Sequence, residues 1–231
     1  MLWTGSATFD WSAGISNLEA KRKVARIIAG HVRSGQVIGI GSGSTSRVAI
    51  EEIGKRAGKE RLDFLGIPTS TESRLACARA GIPCTSLLEH RPDWAFDGAD
   101  EVDPGGNMIK GRGGAFYMEK LVARAAGKLF ILIDQTKQVA RLGTRFAIPI
   151  EVHPPAAYWV QEQLRALGAT EILSRSGAGK DGPVITEHGN MILDARFADI
   201  GPALERDIKS ICGVIESGLF WGFKPEVVLA E

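Results

Sequence analysis

The chain predicts an α/β fold: a parallel-sheet, Rossmann-like domain carrying a smaller ferredoxin-like α+β inserted domain. Three observations lead there. Up to residue 145, short apolar runs alternate with amphipathic segments of about 10–15 residues, the pattern of strands joined by crossover helices. The rhythm then changes to strand, helix, two strands, helix, strand, the order of a split βαβ unit. A last apolar run, Glu226–Ala230, can return to the first sheet, which makes the second unit an insertion. The predicted division is therefore 18–145 plus 213–231 for the α/β domain and 146–212 for the insert, with 1–17 as a leader of unassigned role.

From Asn17 to Ser34, Leu18, Val24, Ile27, Ile28 and Val32 recur near helical period and predict the first helix. Gln36–Ile40 reads as a strand running into the glycine turn at 41–45, after which Val48, Ala49, Ile50 and Ile53 continue as a helix. Next come a strand at Leu62–Ile67, a helix at Ser70–Ala80, and short strands at Ile82–Cys84 and Trp94–Asp97. A helix at Ala115–Ala126 and a strand at Leu129–Ile133 complete this part. In the insert the expected elements are a strand at Ala147–Val152, a helix opened by Pro154 and Pro155 and ending at Leu167, and a strand at Thr170–Leu173. A polar glycine-rich turn at 174–182 separates these from a strand at Met191–Asp194, a helix at Pro202–Ile208 and a strand at Gly213–Glu216.

Composition narrows the function classes. Lys plus Arg total 28 against 27 for Asp plus Glu, a net charge of +1, so nothing draws the whole surface to nucleic acid or anionic membrane. An anionic ligand has to be held by local charges. No apolar run approaches the ~18 residues of a membrane span, and cytoplasmic placement is the default expectation. Cys77, Cys84 and Cys212 lack metal or redox-pair spacing and read as buried free thiols. The four histidines are scattered without HxH or HExxH spacing, so no metal is expected. Trp94, Trp159 and Trp221 read as core or interface residues.

Chemistry concentrates in DGADEVDPGGNMIKGRGGAFYMEK, residues 97–120. Asp97 and Asp100 stand at the end of a predicted strand, where ligands bind in open parallel sheets, although Asp in a turn also caps backbone. Lys110 shifts the balance toward function. It precedes Gly111, Arg112, Gly113 and Gly114, whose unhindered N–H groups can face an oxyanion beside the ammonium. Glu119 falls early on the following helix and reads as functional because the glycine loop aims that helix at the cleft. The loop Gly39–Thr45 between strand and helix suits a phosphate, through backbone N–H groups and the helix dipole, yet a tight turn with Ser/Thr capping accounts for it equally well. It is neither a dinucleotide fingerprint nor a Walker loop, because Ser46 stands at the third glycine position and no lysine follows. Lys137 reads either as a surface lysine or as a second anion contact, and Lys21 as a helix-face residue able to lean toward the phosphate loop.

Taken together, GIGSGST, DGADEVDPGGNMIKGRGGA followed by EK, DQTKQV, GNMILD and GVIESGLF closely resemble the ribose-5-phosphate isomerase family of the A type, from about Lys21 to the C-terminus. The resemblance implies interconversion of D-ribose 5-phosphate and D-ribulose 5-phosphate through an enediolate, in the non-oxidative pentose phosphate pathway, with no cofactor and no metal. It implies Glu119 as the base between C1 and C2, Asp97 and Asp100 as handlers of hydroxyl protons and ring opening, and Lys110 with the adjacent glycine amides as oxyanion support. Ser42, Gly43, Ser44 and Thr45 match the substrate-binding loop, with Gly98, Ala99, Gly111, Arg112 and Gly113 lining the same site. Lys137 and Lys21 match phosphate contacts. The implied partner is a small sugar phosphate, with neither nucleic acid nor membrane, in a homodimer or tetramer. Glu119 should be partly desolvated, while Asp97 and Asp100 near Lys110 should stay ionised. Ser42 stands where the family usually has Thr, and Arg112 interrupts a glycine run; both bear on substrate preference. The competing readings are a sugar-phosphate-binding sensor module, an isomerase of another aldose phosphate, and a CoA transferase relative, which the compact DGAD and KGRGGA pairing disfavours.

Overall fold

The computed structural model describes residues 15–230 except 178 and 180; most of the predicted leader, residues 1–14, lies outside the described residues. In chain order, α1 (Leu18–Ala29) leads to β1 (Val37–Ile40), α2 (Gly43–Glu60), β2 (Leu65–Pro68), α3 (Thr71–Arg79) and β3 (Trp94–Asp97). Two short strands, β4 (Glu101–Val102) and β5 (Met108–Ile109), precede α4 (Phe116–Ala125) and β6 (Leu129–Asp134). Then come β7 (Ile148–Val152), α5 (Ala157–Ala166), β8 (Ala169–Ser174), β9 (Met191–Phe197), α6 (Pro202–Ser210) and β10 (Val214–Ser217). The chain closes with β11 (Leu219–Phe220) and β12 (Glu226–Ala230).

The first sheet has the order β12-β6-β3-β1-β2, every pair parallel, so the last strand does rejoin the first sheet. Strand alternation sorts its side chains onto two faces. Phe96, Phe130 and Leu132 pack with Val24, Ile28, Ile50 and Ile53 of α1 and α2. Ala95, Ile131 and Ile133 pack with Phe116 and Val122 of α4. Such a doubly covered sheet buries its strands on both sides, which is why β3 and β6 read as nearly continuous apolar runs.

The second sheet is antiparallel with the order β10-β7-β9-β8, the ferredoxin-like arrangement the strand and helix order predicted. Its core is Ile148, Ile150, Val152, Val160, Leu164, Leu193, Ala195 and Ile208. A third, three-stranded sheet, β11-β5-β4, was not foreseen. Its strands are two residues each, too short to leave a periodic signal. Other departures are local. Ile82–Cys84 forms a single bridge, Cys84 to Gly66, in place of a strand, and Pro154–Ala156 makes a 3-10 turn ahead of α5. Among the cysteines only Cys77 is buried; Cys212 is exposed, against expectation. Trp94 is core, with its Nε1–H donating to Gln36 at 3.2 Å, whereas Trp159 is exposed.

Two buried charges tie the sheets together. Glu101 is fully buried and accepts from the backbone N–H groups of Gly143, Arg145 and Phe146, which fixes the crossing from the first sheet to the second. Lys120, beside Glu119 on α4, is buried. Its ammonium reaches Glu205 and Glu216 at 3.0 Å and the Leu219 carbonyl at 2.8 Å, joining α4 to α6, β10 and β11.

Candidate active site

The carboxyl ends of β1, β3 and β6 open into a cleft of about 580 Å³. β3 ends on Asp97, and the alternation that sends Phe96 into the α1/α2 core turns Asp97 the other way, toward α4. Close approach is needed here: a Cβ at Gly41 would overlap the Asp97 carboxyl, so only glycine leaves that space. β5 delivers Lys110 into the same spot, and α4 presents Glu119 from its first turn. Between them Gly111 adopts φ 107° against the Phe116 ring, a conformation and a clearance that exclude side chains.

The three groups meet. The Lys110 Nζ lies 3.0 Å from Asp97 Oδ2 and 3.1 Å from Glu119 Oε2, and donates to the Gly98 carbonyl at 2.5 Å. All three side chains are over nine-tenths buried. Asp97 has further donors in the Gly98 N–H at 2.7 Å and the Ser46 hydroxyl at 3.3 Å. Glu119 Oε2 has only the ion pair, whose angle falls outside hydrogen-bonding range. Burial first, then the charge of Asp97, pushes the Glu119 carboxyl up to about 8, with Lys110 opposing. Burial also raises Asp97 above the ordinary carboxylate range in spite of Lys110, a correction to the expectation that it simply stays ionised. For Lys110, burial favours the neutral amine, but Asp97 and Glu119 outweigh it and the ammonium is held more firmly than usual. Asp97, the better bonded carboxylate, takes the first negative charge, and Glu119 keeps its proton longer.

Asp100 stands apart from this trio. It accepts the Arg112 N–H at 3.0 Å and makes no ion pair with Lys110, so its place is at the rim. Gly98, Ala99, Gly111, Arg112 and Gly113 line the cleft as expected from the motif. The Arg112 side chain itself points off toward the Phe146 ring, 5.9 Å from its centroid.

At the other end, α2 begins at Gly43 with no side-chain cap and no acidic residue in its first turn, leaving its N–H groups and dipole toward the cleft. Ser42 is occupied, bonding Thr69 and Ser70 at 2.8 and 2.6 Å. The Gly43 N–H donates to Glu72 at 3.1 Å, and Lys21 Nζ donates to the Ser44 hydroxyl at 3.0 Å. Thr45 completes the loop on the cleft wall. Asp134, ending β6, accepts the Thr136 N–H at 2.9 Å and so shapes the turn that brings Lys137 to the cleft. Burial, with Lys137 and Arg47 nearby, lowers the Lys21 ammonium despite Asp134. A bound anion would relieve that crowding.

Sequence reading missed several contributors. Ser46 touches Asp97, and Glu187 closes the rim from the antiparallel side, accepting from the Thr71 N–H at 2.9 Å. Arg175 grips the glycine loop from β8's end. The Ser46 position, one turn into a helix that starts beside β3, carried a usable signal; Glu187 and Arg175 had none in local spacing. Among the described residues no group of His, Cys, Asp and Glu could hold a metal ion, and no helix is long and apolar enough to cross a membrane.

A parallel α/β fold with an anion cradle at one end of its cleft and a buried carboxylate–ammonium–carboxylate trio at the other is the frame of an enzyme that moves protons on a small anionic substrate. The model of ribose 5-phosphate isomerase A (phosphoriboisomerase A) matches residues 65–231. Ribose-5-phosphate isomerase A of Methanothermobacter thermautotrophicus is 43% identical over 213 residues, 91% of this chain and 93% of that protein. The solved ribose 5-phosphate isomerase A of Methanocaldococcus jannaschii superposes with a TM-score of 0.90 at 41% identity, covering 94% of this chain and 96% of that one. A D-ribose-5-phosphate isomerase solved in complex with phospho-erythronic acid gives 0.89 at 38% identity, covering 92% and 94%. The chain belongs to the ribose 5-phosphate isomerase A family.

Proposed function

We propose that the cleft interconverts D-ribose 5-phosphate and D-ribulose 5-phosphate by proton transfer through an enediolate, the non-oxidative pentose phosphate step. The observation that carries this is the buried ammonium of Lys110 between Asp97 and Glu119. A proton alpha to a carbonyl leaves only if the forming negative oxygen meets fixed donors, and here base and cation are neighbours. Glu119 takes the proton from C2 and returns it to C1. Lys110 and the glycine-loop amides hold the oxyanion, and Asp97 and Asp100 serve the hydroxyl protons and ring opening. The phosphate sits at the N-terminus of α2 with Ser44, Thr45, Lys21 and Lys137. The Ser46–Asp97 contact keeps that cradle next to the reacting carbons. The chemistry calls on no cofactor. The family reading brings a cytoplasmic homodimer or tetramer; the return of β12 supports an inserted unit, while β10, which pairs β7 in the antiparallel sheet, carries the far end of that unit from the expected 212 to about 217.

The direct test is turnover of ribose 5-phosphate beside a small panel of aldose phosphates, with solvent deuterium followed into C2. Preference for ribose 5-phosphate with exchange is expected; binding without turnover would leave a sensor. Because the base must be ionised and Glu119 titrates at about 8, kcat/KM should climb about tenfold per pH unit below that point and level off above it. Lys110 stays charged throughout this range, so no alkaline fall is expected from it. A flat profile between pH 6 and 9 would reassign the base. Lys137→Ala is expected to raise KM about tenfold and to change kcat at saturation much less. A fall in kcat with KM intact would remove Lys137 from the phosphate end.

A further inference from the structure

We propose that Arg175, in the antiparallel unit, is a positioning residue for the oxyanion amides of the glycine loop; the inference rests on the isomerase reading of the cleft. Its Nη1 donates to the carbonyls of Gly111 at 2.8 Å and Arg112 at 3.0 Å, while its Nε and Nη2 donate to the two carboxylate oxygens of Asp194 at 2.9 and 2.5 Å. The planar fork makes all four bonds from one rigid group, which a lysine does not reproduce. In a trans peptide the C=O and the following N–H point in opposite directions. Drawing the Gly111 carbonyl to Arg175 therefore turns the Arg112 N–H away from it, to where it meets Asp100 at 3.0 Å. Drawing the Arg112 carbonyl the same way turns the Gly113 N–H with it. Gly113 lines the cleft, and its N–H has no acceptor among the described residues. Glycine alone does not settle which way these peptides face, since each can flip at little cost. Arg175 settles it. With Asp194 balancing its charge, the guanidinium contributes orientation more than field.

The test is steady-state kinetics and amide hydrogen exchange on Arg175→Gln, Arg175→Lys and Asp194→Asn in the full chain. Arg175→Gln is expected to lower kcat about 10–100-fold with KM within threefold and with the pH limb near 8 in place, because Glu119 is untouched. Exchange at the Arg112 and Gly113 amides should quicken, with Arg175→Lys between wild type and Arg175→Gln. Unchanged kcat with unchanged exchange overturns the proposal; so does a kcat loss that follows only a general fall in thermal stability, with the 112–113 amides as protected as the rest. If Arg175→Gln fails to fold, Asp194→Asn keeps the guanidinium, loosens its anchor and should show the same pattern, smaller. Wild-type turnover of ribose 5-phosphate, run alongside, judges the isomerase reading separately, while the exchange data still judge the hold on the loop.

Discussion

Glu119→Gln is expected to lower turnover by about 10³-fold or more while apparent substrate affinity stays within about threefold, and to make the protein more stable. The amide accepts no proton, so the transfer has no base. The stability gain follows from the same burial. The carboxyl is raised from 4.5 in the free side chain to about 8 in the fold, so the folded state holds its proton more tightly than the unfolded one. Stability therefore drains away as pH rises from the unfolded value to the folded one, and the loss is complete above 8. The variant escapes it, a gain of up to about 5 kcal/mol, or roughly 10–20 °C in Tm, at pH 9 or above, vanishing near pH 4. Thermal melts at the two pH values beside an activity assay check both halves. Wild-type turnover would reassign the base, and a destabilised variant at pH 8 would show that the ion pair with Lys110 outweighs the cost of burial.

Lys110→Met is expected to be the most damaging single change. It strands the buried Asp97 carboxylate without its ammonium, a loss of about 3–5 kcal/mol at neutral pH that Glu119 adds to above about pH 8, and it removes the cation proposed to hold the oxyanion. Turnover should fall by about 10³-fold or more. The stability deficit should shrink on acidification, because protonated Asp97 and Glu119 have no need of a counter-charge. Combining Lys110→Met with Asp97→Asn and Glu119→Gln should restore most of the stability and none of the activity, since a neutral trio has nothing left unpaired. Chemical denaturation at pH 5 and pH 7.5 reads the first effect; a pH-independent deficit would show that Lys110 stabilises by packing against Phe220, 5.5 Å away, and not by charge.

Much of this was legible in the chain itself, for identifiable reasons. The strands β3 and β6 and the final strand β12 fell where apolar runs placed them, because both faces of the first sheet are covered. Asp97, Lys110 and Glu119 were found because ionisable groups among glycines have few structural uses. What stayed hidden depends on tertiary approach. Glu119 and Lys120 are consecutive glutamate and lysine on one helix, indistinguishable by local pattern from a solvated pair, yet both are buried and face different neighbours. Two-residue strands leave no period, and the grip of Arg175 on residues 63 and 64 positions earlier in the chain leaves no spacing. Asp100 looked equal to Asp97 from three residues away; the turn between them sends one into the interior and the other to a backbone amide.

The anchoring of Lys120 bears on how the molecule can move. Lys120, next in the chain to Glu119, is rooted in α6, β10 and β11, so the helix bearing both cannot tilt without dragging the smaller sheet along. The appended unit works as ballast: it damps the helix and keeps the acid's aim steady from one catalytic cycle to the next.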